Sequence, residues 1–229
     1  MTDTTAQLLA LFLNLTAFLV ALAIYRRLPT PLLHPIIVSC VLVAATLYAT
    51  GTGYDTYRKH SQLLYLMLGP AVVALAVPLK HHFKLVRRAA VPLMVTLLVT
   101  TLLSPLIAVL IALALGANEQ ALLALSAKSA TTPIALALAD EIGALQSLTA
   151  GIVVFSGVIG AVFGPPILTR LGITDPRVVG FALGLNAHAA GTARALELSA
   201  LCGAFSGLAM GLCGTLTALL LPWALTMLS

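Results

Sequence analysis

Six long apolar runs separated by short polar gaps dominate the chain. None contains a charged residue, and they lie at Leu8–Ile24, Leu32–Tyr48, Leu63–Leu79, Ala89–Ala117, Leu148–Thr169 and Ser199–Leu228. A helix needs about 20 apolar residues to cross the hydrocarbon core of a bilayer. The pattern therefore predicts an all-α, polytopic membrane protein with about six spanning helices. The third run contains Gly69-Pro70, which favours a kink or an interruption there.

The composition leads to the same class of protein. Hydrophobic residues make up 60% and charged residues 8% of the 229 positions, and the mean hydropathy is +1.08. A soluble domain carries about 25% charged residues, so this chain could not cover its own surface in water. We expect a single transmembrane domain over residues 1–229, multi-pass in the cell (inner) membrane. The first run is preceded by Asp3 and no cation, which is typical of a mature span rather than a signal peptide.

Two further segments are apolar but contain ionisable residues and helix-breaking residues: Ala121–Gly143 and Phe181–Gly203. They are related at an offset of 60 residues. From position 128 to position 151, nine of 24 residues are identical to the residue 60 later, including Thr132 with Thr192 and Gly143 with Gly203. The sequence thus predicts two repeat units, about 90–149 and 150–209, each a long span followed by a broken segment.

The distribution of cations favours broken segments that turn back within the membrane. If both are re-entrant hairpins, eight cations of the connecting segments share one side and only Arg58 and Lys59 lie on the other. If both cross fully, Arg170 and Arg177 change sides and the ratio becomes six to four. Since cytoplasmic loops carry an excess of Lys and Arg, we expect hairpins. An odd number of crossings per unit makes consecutive units inverted, as in many secondary transporters.

The first broken segment contains a predicted helix start at membrane depth. Thr131 or Thr132 suits the N-cap and Pro133 the first helical position. Free N–H groups at such a start form a natural anion site, and Lys128 adds a positive charge with no acid beside it in sequence. Charges inside a membrane cost about 2.5–3.5 kcal/mol each on insertion scales, which indicates a function for Lys128.

The second broken segment repeats this arrangement with different side chains. His188 falls where Lys128 does, Gly191 allows close approach of the backbone, and Thr192 takes the place of Thr132 as the predicted cap. Arg194 lies in the next turn and either contacts substrate or neutralises Glu197 three residues later on the same helix face. Glu197 is also a candidate for proton coupling. His188 is either a substrate ligand or a hydrogen-bonded packing residue.

The glycines indicate helix packing, and the cysteines do not indicate a metal site. Glycines recur at helical spacing in the fifth and sixth runs, which lets membrane helices approach closely. The three cysteines lie in apolar stretches without metal-ligand spacing, and the chain has no P-loop and no nucleophile elbow. We therefore expect no metal, no cofactor and no enzymatic activity; H⁺ and Na⁺ are the candidate coupling ions.

Several sequence blocks resemble the LrgB/CidB family of holin/antiholin-like membrane proteins. They are KSATTPIA from Lys128, FGPP from Phe163, HAAGTARALE from His188, SGLAMGL from Ser206 and LGPAVVALAVPL from Leu68. The resemblance covers essentially the whole chain. The family was described as modulators of murein hydrolase export and lysis, and it is related to the plastidial glycolate/glycerate translocator. The resemblance also implies an LrgA/CidA-like partner.

Two functions follow from the residues and the resemblance together. One is secondary transport of small monocarboxylates such as glycolate, glycerate or pyruvate; the other is a holin/antiholin-like regulator of murein hydrolase export and cell lysis. Costly charges inside matched hairpins favour transport, because a simple pore has little use for them. We expect a homo-oligomer, with a dimer favoured, contacts to lipid, and no nucleic acid partner. The candidate substrate-binding residues are Lys128, Ser129, Thr131, Thr132, Asn186, His188, Gly191, Thr192 and Arg194.

Overall fold

The computed structural model describes residues 3–28, 30, 33–74 and 76–226. Within these residues every regular element is a helix, which confirms the predicted all-α class. The chain forms two compact units, residues 1–74 and 75–229. Both predicted repeat units fall in the second. Leu32 and Leu228, which bound two of the predicted apolar runs, lie outside the described residues.

The first unit contains the helices α1 (Asp3–Arg27), α2 (Pro35–Ala49), α3 (Tyr54–His60) and α4 (Gln62–Ala74). A turn at Gly51, with φ of +65°, bends α3 by 116° from the axis of α2. The Tyr57 hydroxyl donates a hydrogen bond to Asn14 Oδ1 at 2.8 Å. This bond holds α3 against α1 and gives the polar Asn14 a partner within an apolar helix.

The second unit contains eight helices in its described residues, three of them long and unbroken. They are α5 (Ala76–His81), α6 (Phe83–Arg88), α7 (Ala90–Ala114), α8 (Glu119–Ser126), α9 (Thr132–Ile142), α10 (Gln146–Arg170), α11 (Pro176–Leu198) and α12 (Ala200–Thr226). Buried Leu97, Phe181 and Phe205 form a shared core. They come from α7, α11 and α12, so this core fixes the three helices that surround the polar residues described below.

Four of the described helices are long and apolar enough to cross a membrane: α1, α7, α10 and α12. The bent pair α2 and α3 raises the number to five if it counts as one span. At 1.5 Å per residue, the 15 residues of α2 extend only about 22 Å. The helix α4 continues through Gly69 and Pro70, so the structure shows no interruption where the sequence predicts a kink or an interruption. The predicted number of about six spans stays a prediction.

The chain reverses direction between α8 and α9. Gln120, near the start of α8, donates from Nε2 to the Gly143 carbonyl at 3.3 Å. It also accepts a hydrogen bond from the Leu145 N–H at 2.9 Å. Gly143 and Leu145 follow the end of α9, so the outer ends of the two helices meet. The break at residues 127–131 is therefore the inner tip of the segment.

A second reversal divides α11 at His188, whose φ of 46° and ψ of −126° are not helical. A Cβ atom on Gly191 would lie 2.4 Å from the Leu183 carbonyl oxygen. In one continuous helix these residues would be about 12 Å apart. The two halves, 176–187 and 189–198, consequently pack side by side, and Val179 and Ala195 from opposite halves share a buried cluster. Glycine is required at position 191 because the other half leaves no room for a side chain.

Candidate functional site

The tip between α8 and α9 contains the helix start that the sequence predicts. Thr131 is the N-cap of α9, with extended backbone at φ −68° and ψ 152°, and Pro133 lies in the first turn. The predicted start at Thr131 or Thr132 is thus confirmed. The Thr131 side chain makes no capping hydrogen bond, so its hydroxyl is not committed to the helix it begins.

Lys128 lies in the same tip with its ammonium held by a neutral partner. Its Nζ donates to Ser104 Oγ of α7 at 2.8 Å. The two ion pairs among the described residues are Arg177–Asp175 and Arg194–Glu197, so in this part of the chain no carboxylate lies within salt-bridge distance of Lys128. A half-buried cation without a counter-ion is costly, and an incoming anion would relieve that cost.

The second tip meets the first at Ser104. Its hydroxyl also contacts Asn186 Oδ1 at 3.5 Å, while Asn186 Nδ2 donates to the Ala182 carbonyl at 3.1 Å. His188, two residues further on, is within electrostatic reach of Lys128. The structure therefore brings together Lys128, Asn186 and His188, which are 58 to 60 positions apart in sequence.

Two buried polar atoms at this meeting point have no hydrogen-bond partner. They are Ser129 Oγ and His188 Nε2, in side chains that are only 2% and 4% exposed. Buried polar groups are normally hydrogen-bonded, and each exception calls for an explanation such as a missing ligand or water. The two atoms come from different tips, Ser129 from the tip that contains Lys128 and His188 from the tip that contains Asn186.

Cys213 of α12 ties the first tip to α11. Its thiol donates to the Ser129 carbonyl at 3.4 Å and lies 4.0 Å from the Leu185 carbonyl. The Thr101 hydroxyl of α7 in turn donates to the Cys213 sulfur at 3.5 Å. This role could not be predicted from the sequence, because Cys213 stands in an apolar run without a polar neighbour that would distinguish it.

Both tips lie near the middle of the long helices. Ser104 is close to the centre of α7, and Cys213 is at the centre of α12. In α10 a Cβ atom on Gly157 would lie 3.3 Å from the Ala187 carbonyl oxygen, and one on Gly160 would lie 2.7 Å from the Ala187 Cβ. These approaches confirm the predicted packing role of the α10 glycines. They place the second tip about halfway along a helix of spanning length.

The predicted cap at Thr192 is wrong. The chain leaves helical geometry at His188, so Thr192 lies a full turn inside the second half of α11. Its buried hydroxyl shares a 2.9 Å hydrogen bond with Ser206 Oγ of α12. The break at His188 comes earlier than predicted, and Gly191 already belongs to the second half of α11, where it packs against Leu183.

Arg194 makes the ion pair that was one of its two predicted roles. Its Nη1 bonds to Glu197 Oε2 within the same helix face, and the two side chains are 24% and 49% exposed. The pair neutralises both charges in this structure. Arg194 is therefore less available to an anion than Lys128, whose ammonium holds only a hydroxyl.

These features define a class: an all-helical membrane protein in which two breaks of the chain, each flanked by short helices, bring polar and cationic groups to the middle of three long helices. The chain belongs to the LrgB-like family, whose model matches residues 14–227. Its relatives include proteins named holin-like protein CidB.

Several relatives match over nearly their whole length. The Bacillus subtilis proteins YxaC and YwbG are 32% and 31% identical to the chain, over 91% and 96% of it and 91% and 97% of their own lengths. The holin-like protein CidB of Staphylococcus aureus strain Mu50 is 26% identical, over 97% of both chains. No solved structure matches the chain.

Proposed function

We propose that this protein is a secondary transporter of small monocarboxylates of the glycolate, glycerate or pyruvate type. The observation that carries the proposal is Lys128: a half-buried ammonium at a chain break, bonded to a hydroxyl and to no carboxylate of the described chain. An anion that leaves water needs its charge matched, because burial of an unpaired ion is expensive. Lys128 supplies that match about halfway along the long helices.

The surrounding groups suit a carboxylate with a neighbouring hydroxyl or carbonyl. The start of α9 offers backbone N–H groups and the positive end of its dipole. Thr131 and Ser129 offer hydroxyls without a capping or buried partner. His188 Nε2 provides a further buried polar atom without a hydrogen bond. Ser104 would release the ammonium when the carboxylate takes its place.

We also propose that the two broken segments are re-entrant hairpins in inverted repeats. The outer ends of the first segment lie at Leu145, the N-cap of α10. The second begins at Pro176, just past the C-terminal end of α10. Because α10 is long enough to span a membrane, the two segments enter from opposite ends and their tips meet midway. This arrangement supports alternating access around a central site.

Cysteine labelling tests this topology. The background is Cys40→Ser, which keeps the buried Cys202 and Cys213. A cysteine introduced at Lys84 in one variant and at Ile173 in another should be equally protected from an impermeant reagent added outside. Both lie on the cytoplasmic side if the broken segments turn back. Labelling of position 173 from outside while position 84 stays protected would replace the hairpins with fully crossing segments.

Uptake by proteoliposomes containing only the purified chain tests the function. We expect saturable uptake of at least one of glycolate, glycerate and pyruvate, driven by an imposed H⁺ or Na⁺ gradient. A chain that needs an LrgA/CidA-like partner would become active only when the two are reconstituted together. Absence of carboxylate uptake in both preparations would refute the proposal.

A second candidate function is a holin-like regulator of murein hydrolase export and lysis. The names of the CidB relatives favour it, since they match over 97% of the chain. A pore and a transporter differ in one measurable respect. Release of a trapped dye far larger than a three-carbon acid, without saturable uptake, would indicate a pore, whereas retention of the dye with saturable uptake would indicate a transporter.

A further inference from the structure

A cavity of about 370 Å³ lies between α7 and the first half of α11. At one end it is lined by Arg177, which is exposed, and at the other by Asn186 of the second tip. Phe181 and Leu185 form part of its apolar wall. The cavity therefore connects the protein surface with the meeting point of the two tips. Its volume is at the lower end of the range for ligand pockets, about 300–1,000 Å³, which suits a small solute.

The α7 wall of the cavity carries a row of hydroxyl groups. Thr96 and Thr100 line the cavity, and Ser104 follows after another four residues. Residues four apart lie on one face of a helix, so the row continues from the cavity to the hydroxyl that holds Lys128. The helix thus presents three hydroxyl groups along one line, apart from Thr101, whose hydroxyl bonds to Cys213, and the last of the three is bonded to the cation.

Each end of the cavity has a polar contact of different character. At the surface end Arg177 pairs with Asp175 and holds the pKa of that carboxyl at about 2. The pair is consequently charged, with no net charge, across the physiological pH range. At the inner end Ser104 contacts both Asn186 and Lys128. Of the described residues that line the cavity, Arg177 is the one cation and it is paired, so an anion inside the cavity would meet its first uncompensated positive charge at Lys128.

We propose that this cavity is the path by which a small carboxylate reaches Lys128 from the Arg177 side, with Thr96 and Thr100 as hydroxyl contacts along the way. The contact between Ser104 and Asn186 is the barrier at its inner end. The inference rests on the proposed transport function and adds the route, the side of entry and the residues that line it. The structure is then the form of the protein that is open toward Arg177.

Single-cysteine labelling with a negatively charged, membrane-impermeant methanethiosulfonate tests the path. Thr100→Cys, in the Cys40→Ser background, should react at least about tenfold faster than Leu98→Cys, because the reacting thiolate forms only where water reaches it. Leu98 is a matched control: it is exposed, lies nearly at the same depth and faces the opposite side of α7. The reaction should occur only from the side on which a cysteine at Ile173 is labelled.

The labelling result does not depend on transport, so the two proposals fail separately. If the chain takes up carboxylate while Thr100→Cys is no more reactive than Leu98→Cys, the path is wrong and the transport function stands. If Thr100→Cys is reactive and labelling blocks uptake, with glycolate slowing the labelling, the path is supported. Reactivity from the side opposite to position 173 would overturn the assigned direction of entry.

Discussion

Replacement of Lys128 by alanine is the most informative perturbation of this protein. The substitution removes an ammonium that bonds to Ser104 Oγ at 2.8 Å and that has no carboxylate partner within the described residues. No ion pair of the described residues is lost with it. The change therefore acts on the bound anion more than on the fold, which is unusual for a charge at this depth.

The expected effect on transport is large. Removing one member of a buried ion pair costs about 3–5 kcal/mol because the remaining charge is left uncompensated. At 1.36 kcal/mol for each factor of ten, uptake efficiency should fall roughly 150- to 5,000-fold. The substitution should not lower the stability of the folded protein. A charge at the centre of a membrane helix costs about 2.5–3.5 kcal/mol on insertion scales, so Lys128→Ala should be at least as stable as the wild type.

The assay measures initial uptake of the preferred carboxylate in proteoliposomes, normalised to the amount of folded protein, together with thermal unfolding in detergent. Lys128→Arg is the matched variant. It should retain part of the activity because it keeps the positive charge, and lose the rest because a planar guanidinium does not reproduce the geometry of a compact ammonium. Uptake at the wild-type rate by Lys128→Ala would refute the reasoning and move the assignment to His188 and Arg194.

Two further substitutions test neighbouring parts of the fold. Arg194→Ala should lower the unfolding temperature by leaving Glu197 unpaired, and Arg194→Ala combined with Glu197→Gln should recover part of the loss; a drop in uptake with unchanged stability would instead show a substrate role. Gly191→Ala should destabilise the protein by at least about 1–3 kcal/mol, because the new methyl group would lie 2.4 Å from the Leu183 carbonyl oxygen. Gly211→Ala is the control and should leave the stability nearly unchanged, because nothing lies within 4 Å of the new Cβ. Equal stability of Gly191→Ala and Gly211→Ala would contradict the side-by-side packing of the α11 halves.

The hydrophobic pattern was sufficient to predict the helical class and the three long helices of the second unit. Spans are determined by about 20 consecutive apolar residues, and the runs at Ala89–Ala117 and Leu148–Thr169 correspond closely to α7 and α10. The pattern was less informative for Leu63–Leu79, which overlaps α4 and α5. Gly69-Pro70 predicted a kink or an interruption there, whereas Pro70 lies inside α4.

The site was predictable where local chemistry determines it. Thr131 and Pro133 form a helix start because of their own backbone preferences, and the offset of 60 residues paired Lys128 with His188 at the two breaks. Ser104, Ser206 and Cys213 could not be found in this way. Their roles depend on which helices pack together, and a serine in an apolar helix normally bonds to its own backbone. Thr192 was misassigned for the same reason, since its partner Ser206 belongs to another helix.

The position of Lys128 halfway along the long helices has an electrical consequence for the proposed transporter. One elementary charge crossing a whole membrane is worth about 2.3 kcal/mol per 100 mV, so an anion travelling from either surface to Lys128 crosses roughly half the field, or about 1.2 kcal/mol per 100 mV. Bound to the ammonium it forms a neutral complex, so in the loaded step voltage acts only on the coupling cation. Voltage also acts on the arrival of the anion and on the return of the empty, positively charged tip.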